Sequence, residues 1–220
     1  MKFCVLIPAH NEVKAIGQLV EQIRRKSLDV IVVDDGSSDN TGSIAQSKGA
    51  QVIPHIEKKG KGTSLQDGFR YVLSKDYEGV ITMDGDGQHA VADLDMILHK
   101  AEHCPDAVIT GNRMADTKDM PWLRLMTNRF MSLLISAVCR QHVPDTQCGY
   151  RYIGRKVLES IKITAKDFEI ESEVLIQASK KGYRIFSVPI HTIYRGETSK
   201  INPWRDTIRF FVYITKEFLR

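Results

Sequence analysis

Cysteine is scarce in this 220-residue chain, and its four copies, Cys4, Cys104, Cys139 and Cys148, form no Cys-x-x-Cys pair. That spacing suits neither a structural zinc site nor a disulfide framework, and the thiols read as buried groups in a reducing compartment. Long apolar runs are absent too. None approaches the roughly 18 residues that a membrane-spanning helix needs. The apolar stretch at residues 3–7 is too short for a secretory signal before it meets Pro8-Ala9-His10-Asn11-Glu12. The expectation is a cytoplasmic protein, free or held peripherally at the cytosolic face of a membrane. Proline and glycine, at 7 and 15 copies, are ordinary, and no repeat or low-complexity stretch occurs, which excludes collagenous, fibrous and disordered classes.

What is present is 42% apolar and 26% charged residues, the balance of a soluble globular protein. The length suits a single domain over 1–220, able to bury about 70% of its unfolded surface without a staple. Charge is unevenly placed. Residues 1–120 carry 14 Lys+Arg against 18 Asp+Glu, net −4, whereas residues 121–220 carry 17 against 9, net +8. The first part suits cation binding and the second suits anionic partners, though a solvated surface can also partition charge by chance.

Short β-branched runs at 3–7, 29–33, 79–83 and 106–110, with a weaker one at 51–54, predict strands. Between them, 13–26, 39–48, 63–74 and 92–103 carry apolar residues three and four apart and predict helices. Asp39 is the expected N-cap of the second, and Gly49 ends it. The alternation predicts an α/β, Rossmann-like, mostly parallel central sheet flanked by helices. Ligands then bind beyond the carboxyl ends of the strands. In the second part, 121–140 predicts a long amphipathic helix. Trp122, Leu125, Met126, Phe130, Leu133, Leu134, Ala137 and Val138 are its apolar positions. Arg124, Asn128, Ser132, Ser136 and Arg140 recur along its other side. A turn at Pro144-Asp145, a helix near 169–181, a strand at 184–190 and a C-terminal amphipathic helix opened by Asn202-Pro203 follow.

Three polar clusters stand at the ends of predicted strands: Pro8-Ala9-His10-Asn11-Glu12, Asp34-Asp35-Gly36-Ser37 and Asp84-Gly85-Asp86-Gly87-Gln88-His89; a fourth, basic turn opens a predicted helix. Asp84-Gly85-Asp86 sets two carboxylates one residue apart on a turn, with Gln88 as a third oxygen, and can hold a hard cation such as Mg²⁺ or Mn²⁺; it also reads as an ordinary polar turn. Gln88 stands where an EF-hand loop needs Asp or Asn. Asp34-Asp35-Gly36-Ser37 can accept hydrogen bonds from a ribose or a base, or can simply turn the chain into a helix. Lys58-Lys59-Gly60-Lys61-Gly62 is an anion-site candidate at a helix start, or a solvated basic turn, and lacks the spacing of a Walker A loop.

Taken in order, these clusters, Val32-Val33-Asp34-Asp35-Gly36-Ser37-Ser38-Asp39-Asn40-Thr41, Gly111-Asn112-Arg113, Asp145-Thr146-Gln147-Cys148-Gly149-Tyr150-Arg151, Phe168-Glu169 with Glu173, Tyr194-Arg195 and Ser199-Lys200-Ile201-Asn202-Pro203-Trp204-Arg205-Asp206 resemble the family 2 inverting glycosyltransferases of GT-A fold. The branch most similar is that of dolichol- or polyprenyl-phosphate mannosyltransferases and glucosyltransferases. The resemblance covers almost the whole chain. It implies a donor half (1–120) and an acceptor half (121–220).

The resemblance implies a nucleotide-sugar donor of GDP-mannose or UDP-glucose type, with Pro8, Ala9, Glu12 and Asp35 on base and ribose and Asp34 nearby. Asp84, Asp86 and Gln88 match the metal and diphosphate site, and Lys61 belongs to the matching Gly60-Lys61-Gly62 turn. Arg113 matches an arginine near the reaction centre. Arg151, Arg195 and Lys200 match basic residues that neutralise the diphosphate or the acceptor phosphate. The implied acceptor is a lipid phosphate at a membrane surface, with a membrane-protein partner or a homo-oligomer as further candidates and no nucleic acid. Glu169, Glu171 and Glu173 are base candidates if the acceptor is a hydroxyl. Two rivals stand beside this reading. Asp84-x-Asp86-Gly87 mimics the nucleophile loop of a haloacid-dehalogenase-like phosphatase, although that loop follows the first strand of its fold. A non-catalytic nucleotide-sugar or lipid-binding module would use the same fold.

Overall fold

The computed structural model describes residues 1–117, 120–167 and 169–193. Phe168, Arg195, Lys200 and the helix expected from Asn202-Pro203 lie outside the described residues. The first part alternates β1 (Phe3–Ala9), α1 (Ile16–Arg24), β2 (Asp29–Asp34), α2 (Thr41–Ser47), β3 (Gln51–Pro54), α3 (Lys61–Leu73) and β4 (Gly79–Thr82). A 3₁₀ turn at Val91–Asp93 then leads into α4 (Leu94–His103) and β5 (Val108–Asn112), and a second at Arg113–Ala115 precedes α5 (Trp122–Cys139). Last come β6 (Arg151–Gly154), α6 (Arg155–Ser160), α7 (Ile170–Lys180) and β7 (Ile185–Pro189).

The strands form one seven-stranded sheet in the order β3-β2-β1-β4-β6-β5-β7. All neighbours are parallel except β6, which runs antiparallel to both β4 and β5. β1 is apolar throughout because both of its faces are covered. Val5 and Ile7 pack with Ile16, Val20, Leu94 and Ile97 on one side, and Cys4 and Leu6 pack with Leu65, Phe69, Ile135 and Leu175 on the other. The chain builds outward from β1 through β2 to β3, then crosses to place β4 on the opposite side of β1. That reversal opens a crevice between the carboxyl ends of β1 and β4.

Three features differ from the sequence expectations. β6 and α6 were not anticipated; β6 has only four residues, all buried, and begins with an arginine. The cap of α2 is Asn40, not Asp39; the Asp39 carboxylate instead accepts from the backbone N–H of Thr41 at 2.9 Å and of Val13 at 3.3 Å, tying α2 to the loop after β1. The third concerns α5. Its buried residues are Asn128, Ser132, Ile135 and Cys139, while Trp122 (74%), Met126 (55%), Phe130 (50%) and Leu133 (68%) are exposed. Most of its apolar stripe therefore faces outward and its polar stripe inward. The physical reason is the loop at 143–147. Ser136 Oγ accepts from the Val143 N–H at 3.0 Å, Ser132 Oγ from the Thr146 N–H at 3.0 Å, and Asn128 donates to Asp145 at 3.2 Å. Buried backbone groups demand such partners.

Candidate active site at the strand ends

The loops after β1, β2, β4 and β5 meet at one edge of the sheet. Pro8 and Ala9 end β1, in register with Val33 and Asp34 of β2. Glu12 stands beside the β4 loop, since a Cβ built on Gly85 would lie 3.3 Å from Ala9 Cβ and 3.4 Å from Glu12 Cγ. The structure thus brings Ala9 and Glu12 to the turn that carries Asp84 and Asp86.

The two aspartates after β2 differ. Asp34 is half-buried, and its carboxylate accepts the Ser37 N–H at 3.1 Å. Asp35 is 3% exposed and accepts from Lys59 N–H at 2.8 Å and Gly60 N–H at 2.9 Å, with His55 Nδ1 at 2.9 Å. Burial works to raise its pKa, but these hydrogen bonds overcome it and hold the carboxyl below its ordinary value. Asp35 therefore fastens the 55–60 turn to β2. His55 is clamped from its other nitrogen by Asp67 at 2.9 Å. Gly36 makes the approach possible: its φ is +64°, and a Cβ there would meet the Glu57 carbonyl carbon at 2.5 Å.

Asp84 and Lys61 form the centre. Lys61 Nζ, at the start of α3, lies 2.6 Å from Asp84 Oδ1 and 2.6 Å from Glu171 Oε1 of α7. Burial pushes the Lys61 pKa down, but Asp84 and Glu171 more than reverse it. Burial likewise acts to raise the Asp84 pKa, and the Lys61 charge, helped by His89, holds it far below the carboxylate range. Gly149 closes over this pair, since a Cβ there would stand 2.8 Å from both Asp84 oxygens and 3.0 Å from Lys61 Nζ. Asp86 behaves oppositely: burial and the neighbouring Asp84 charge raise its pKa. Its Oδ1 accepts the Gln88 N–H at 2.9 Å. Two half-buried carboxylates, of which the charge on Asp84 disfavours ionisation of Asp86, fit a divalent cation, which relieves that repulsion. The protein offers Asp84, Asp86 and Gln88 for it. No three His, Cys, Asp or Glu side chains converge as a metal cluster among the described residues.

Arg113, just after β5, is buried and pairs with Asp145 through Nε at 2.7 Å and Nη2 at 2.9 Å. Its charge still contributes to keeping Asp84 ionised. Arg151 is placed differently from a phosphate-facing cation. It is 2% exposed and donates to the carbonyls of Cys148 at 2.7 Å, Thr146 at 2.6 Å and Glu171. Its guanidinium braces the 146–151 loop against α7. Burial lowers its pKa.

Of two further residues near the centre, His89 received no individual role from sequence and Glu171 was expected only as a base candidate. His89 stacks on Tyr150 with ring centroids 5.1 Å apart, and its Nε2 lies 3.9 Å from Asp84 Oδ2. Glu171 is the second partner of Lys61. The base candidate Glu173 is 2% exposed and accepts from Thr164 N–H, Thr164 Oγ1–H and Ala165 N–H at 2.8–2.9 Å. It caps the turn before α7, and Glu173→Ala is expected to cost about 2–3 kcal/mol by leaving buried donors unpaired, measurable by urea unfolding.

The chain is 30% identical over 213 residues to UDP-N-acetylglucosamine–dolichyl-phosphate N-acetylglucosaminyltransferase of Methanococcus voltae, covering 86% of this chain and 85% of that one. It is 29% identical to undecaprenyl-phosphate mannosyltransferase of Micrococcus luteus, covering 89% and 85%. Among solved structures, glucosyl-3-phosphoglycerate synthase from Mycobacterium tuberculosis, crystallised with Mn²⁺, UDP and phosphoglyceric acid, gives a TM-score of 0.73 at 19% identity, covering 99% of this chain and 77% of that one. That likeness is one of fold and identifies the sheet and its helices as GT-A. The family model described as Glycosyl transferase family 2 matches residues 4–162, which span the strand ends from Pro8 to Arg151. This match sets aside the phosphatase reading of the Asp84-x-Asp86 loop, and the chain belongs to glycosyltransferase family 2.

Proposed function

We propose that the protein transfers one hexose from a nucleotide sugar to a polyprenyl or dolichyl phosphate, with inversion at the anomeric carbon and with a divalent cation at Asp84, Asp86 and Gln88. The observation that carries this reading is the crevice between β1 and β4, where Ala9, Glu12, Asp84 and Asp86 share one strand-end edge beside Lys61 and Arg113. An oxygen of the acceptor phosphate attacks the sugar carbon as the bond to the donor diphosphate breaks, and the electron pair leaves with the nucleoside diphosphate. Charge accumulates on that leaving group, where fixed cations lower the barrier. A bound Mg²⁺ or Mn²⁺ would neutralise part of it. An ionised phosphate needs no general base. That suits the engagement of Glu171 with Lys61 and of Glu173 with the 164–165 backbone. The names of the relatives support a lipid-phosphate acceptor.

Calorimetric titration with GDP, UDP, GDP-mannose and UDP-glucose, each with and without Mn²⁺, tests the donor site. One nucleotide series is expected to bind with Mn²⁺ and to lose most of its affinity without it. Well-folded protein that binds none of the four would remove the reading.

The outward face of α5 supports a bilayer as the place of reaction. Trp122, Met126, Phe130 and Leu133 follow helical spacing on the exposed side, and Arg129 is exposed among them. Aromatic and aliphatic groups beside a cation suit the headgroup region of an anionic membrane, and no helix among the described residues is long and apolar enough to cross one. Replacing Phe130 and Leu133 together by Ser is expected to weaken binding to vesicles containing anionic lipid by about tenfold while thermal stability holds. Unchanged vesicle binding would free α5 from that role.

A further inference from the structure

Among the described residues Lys61 sits on two carboxylates, and they are not equivalent. Asp84 lies on the loop proposed to hold a cation; Glu171 lies on α7, away from that loop. Lys61 Nζ is 2.6 Å from one oxygen of each. The other oxygen of Glu171, Oε2, is buried without a hydrogen-bond partner. Glu171 and Arg151 border a cavity of about 20 Å³, otherwise lined by Thr82, Gly149 and apolar side chains, which is room for about one water. Glu171 therefore has buried, unused capacity to accept, whereas Asp84 is partly exposed and its second oxygen, Oδ2, has His89 Nε2 beside it at 3.9 Å.

An ammonium at 2.6 Å and a divalent cation cannot share the same carboxylate oxygen without strong repulsion. Even on the other oxygen, Oδ2, a divalent cation would stand a few ångströms from the ammonium and repel it, so a cation that takes Asp84 favours Lys61 moving off it. We propose that Lys61 is a resident cation that holds Asp84 in the donor-free protein and withdraws onto Glu171, engaging its unused Oε2, when a divalent cation enters with the donor diphosphate. Glu171 is then a positioning residue, acting through Lys61. The arrangement spares the donor-free site an uncompensated, half-buried carboxylate, which is costly. It also makes cation affinity conditional on the diphosphate, whose oxygens supply the ligands that outcompete the ammonium. This inference rests on the reading of Asp84 as part of the cation site.

The test is Mn²⁺ binding by electron paramagnetic resonance, on the full chain, with and without UDP or GDP. Wild type is expected to bind Mn²⁺ weakly alone. Lys61→Gln is expected to bind Mn²⁺ alone at least about tenfold more tightly, because Asp84 is released. Glu171→Gln keeps the shape but removes the charge of the second berth, and is expected to weaken Mn²⁺ binding in the presence of nucleotide by about fivefold or more. Folded Lys61→Gln with wild-type affinity for Mn²⁺ alone overturns the proposal. If that variant does not fold, Glu171→Gln decides: wild-type affinity in the presence of nucleotide overturns it. Failure of wild type to bind Mn²⁺ with either nucleotide instead removes the cation site itself, and the inference with it.

Discussion

Asp86→Asn is expected to slow hexose transfer by roughly a thousandfold, the scale of several kcal/mol of lost charge stabilisation at the leaving diphosphate. The fold should not suffer. Asparagine keeps an Oδ1 acceptor for the Gln88 N–H, now 2.9 Å away, so the turn has no geometric reason to change. Stability should hold or rise. Burial and Asp84 raise the folded pKa of Asp86 above its unfolded value. Its ionisation therefore costs stability as pH climbs through the unfolded value, roughly 3.9, toward the folded one, and that cost persists at neutral pH. The uncharged amide escapes it. Initial rates at saturating Mn²⁺, paired with thermal melting at pH 7, check both halves. A variant that transfers at the wild-type rate would end the assignment of Asp86 to the cation.

Arg113→Met is expected to cost about 3–5 kcal/mol of folding stability, the usual penalty for leaving one member of a buried ion pair alone. Asp145 is fully buried and collects Arg113 N–H, Nε and Nη2 together with Asn128 Nδ2 and Gln147 N–H. Burial presses its pKa upward, and Arg113 pulls it below the ordinary value. A depressed folded pKa contributes stability above the unfolded pKa and loses it as pH falls from there through the folded value. The stability difference between wild type and Asp145→Asn should therefore be full at pH 7 and shrink below about pH 4, near the ordinary aspartate pKa. Urea midpoints across pH 3–7 measure it. Equal midpoints for wild type and Arg113→Met at pH 7 would show that the pair carries no net stability.

The sequence revealed the strands better than the contacts. β1, β2 and β4 are apolar on both faces and each runs into a polar turn at its carboxyl end, so their positions were legible to within two residues. β3 was readable as a weak run and is Gln51–Pro54 as expected. β6 was not, because four residues starting at Arg151 carry no alternation, and the segment reads as the tail of the Asp145–Arg151 cluster. The facing of α5 was hidden for a related reason. Nothing in its own periodicity records that the 143–147 loop would need Asn128, Ser132 and Ser136. The acidic turn at Asp84 was visible as a local pattern. Its partners Lys61 and Glu171 were not, because residues 61, 84 and 171 meet only through the order of the strands. The same holds for Arg151, whose charge suggested a phosphate ligand and whose burial assigns it to three carbonyls.

β6 also bears on how the chain reaches its native state. It pairs Thr82 with Arg151 and Val80 with Ile153, so the partner of β4 arrives about seventy residues later. The β1–β2 and β2–β3 pairs join near neighbours in sequence, whereas the β1–β4 and β4–β6 pairs both close long loops, at a larger entropic cost. Until the loop to β6 closes, β4 exposes an apolar edge that invites pairing with other chains. Expression of a fragment ending near residue 120 is therefore expected to give aggregates, and during synthesis the ribosome must deliver the acceptor half before that edge is covered.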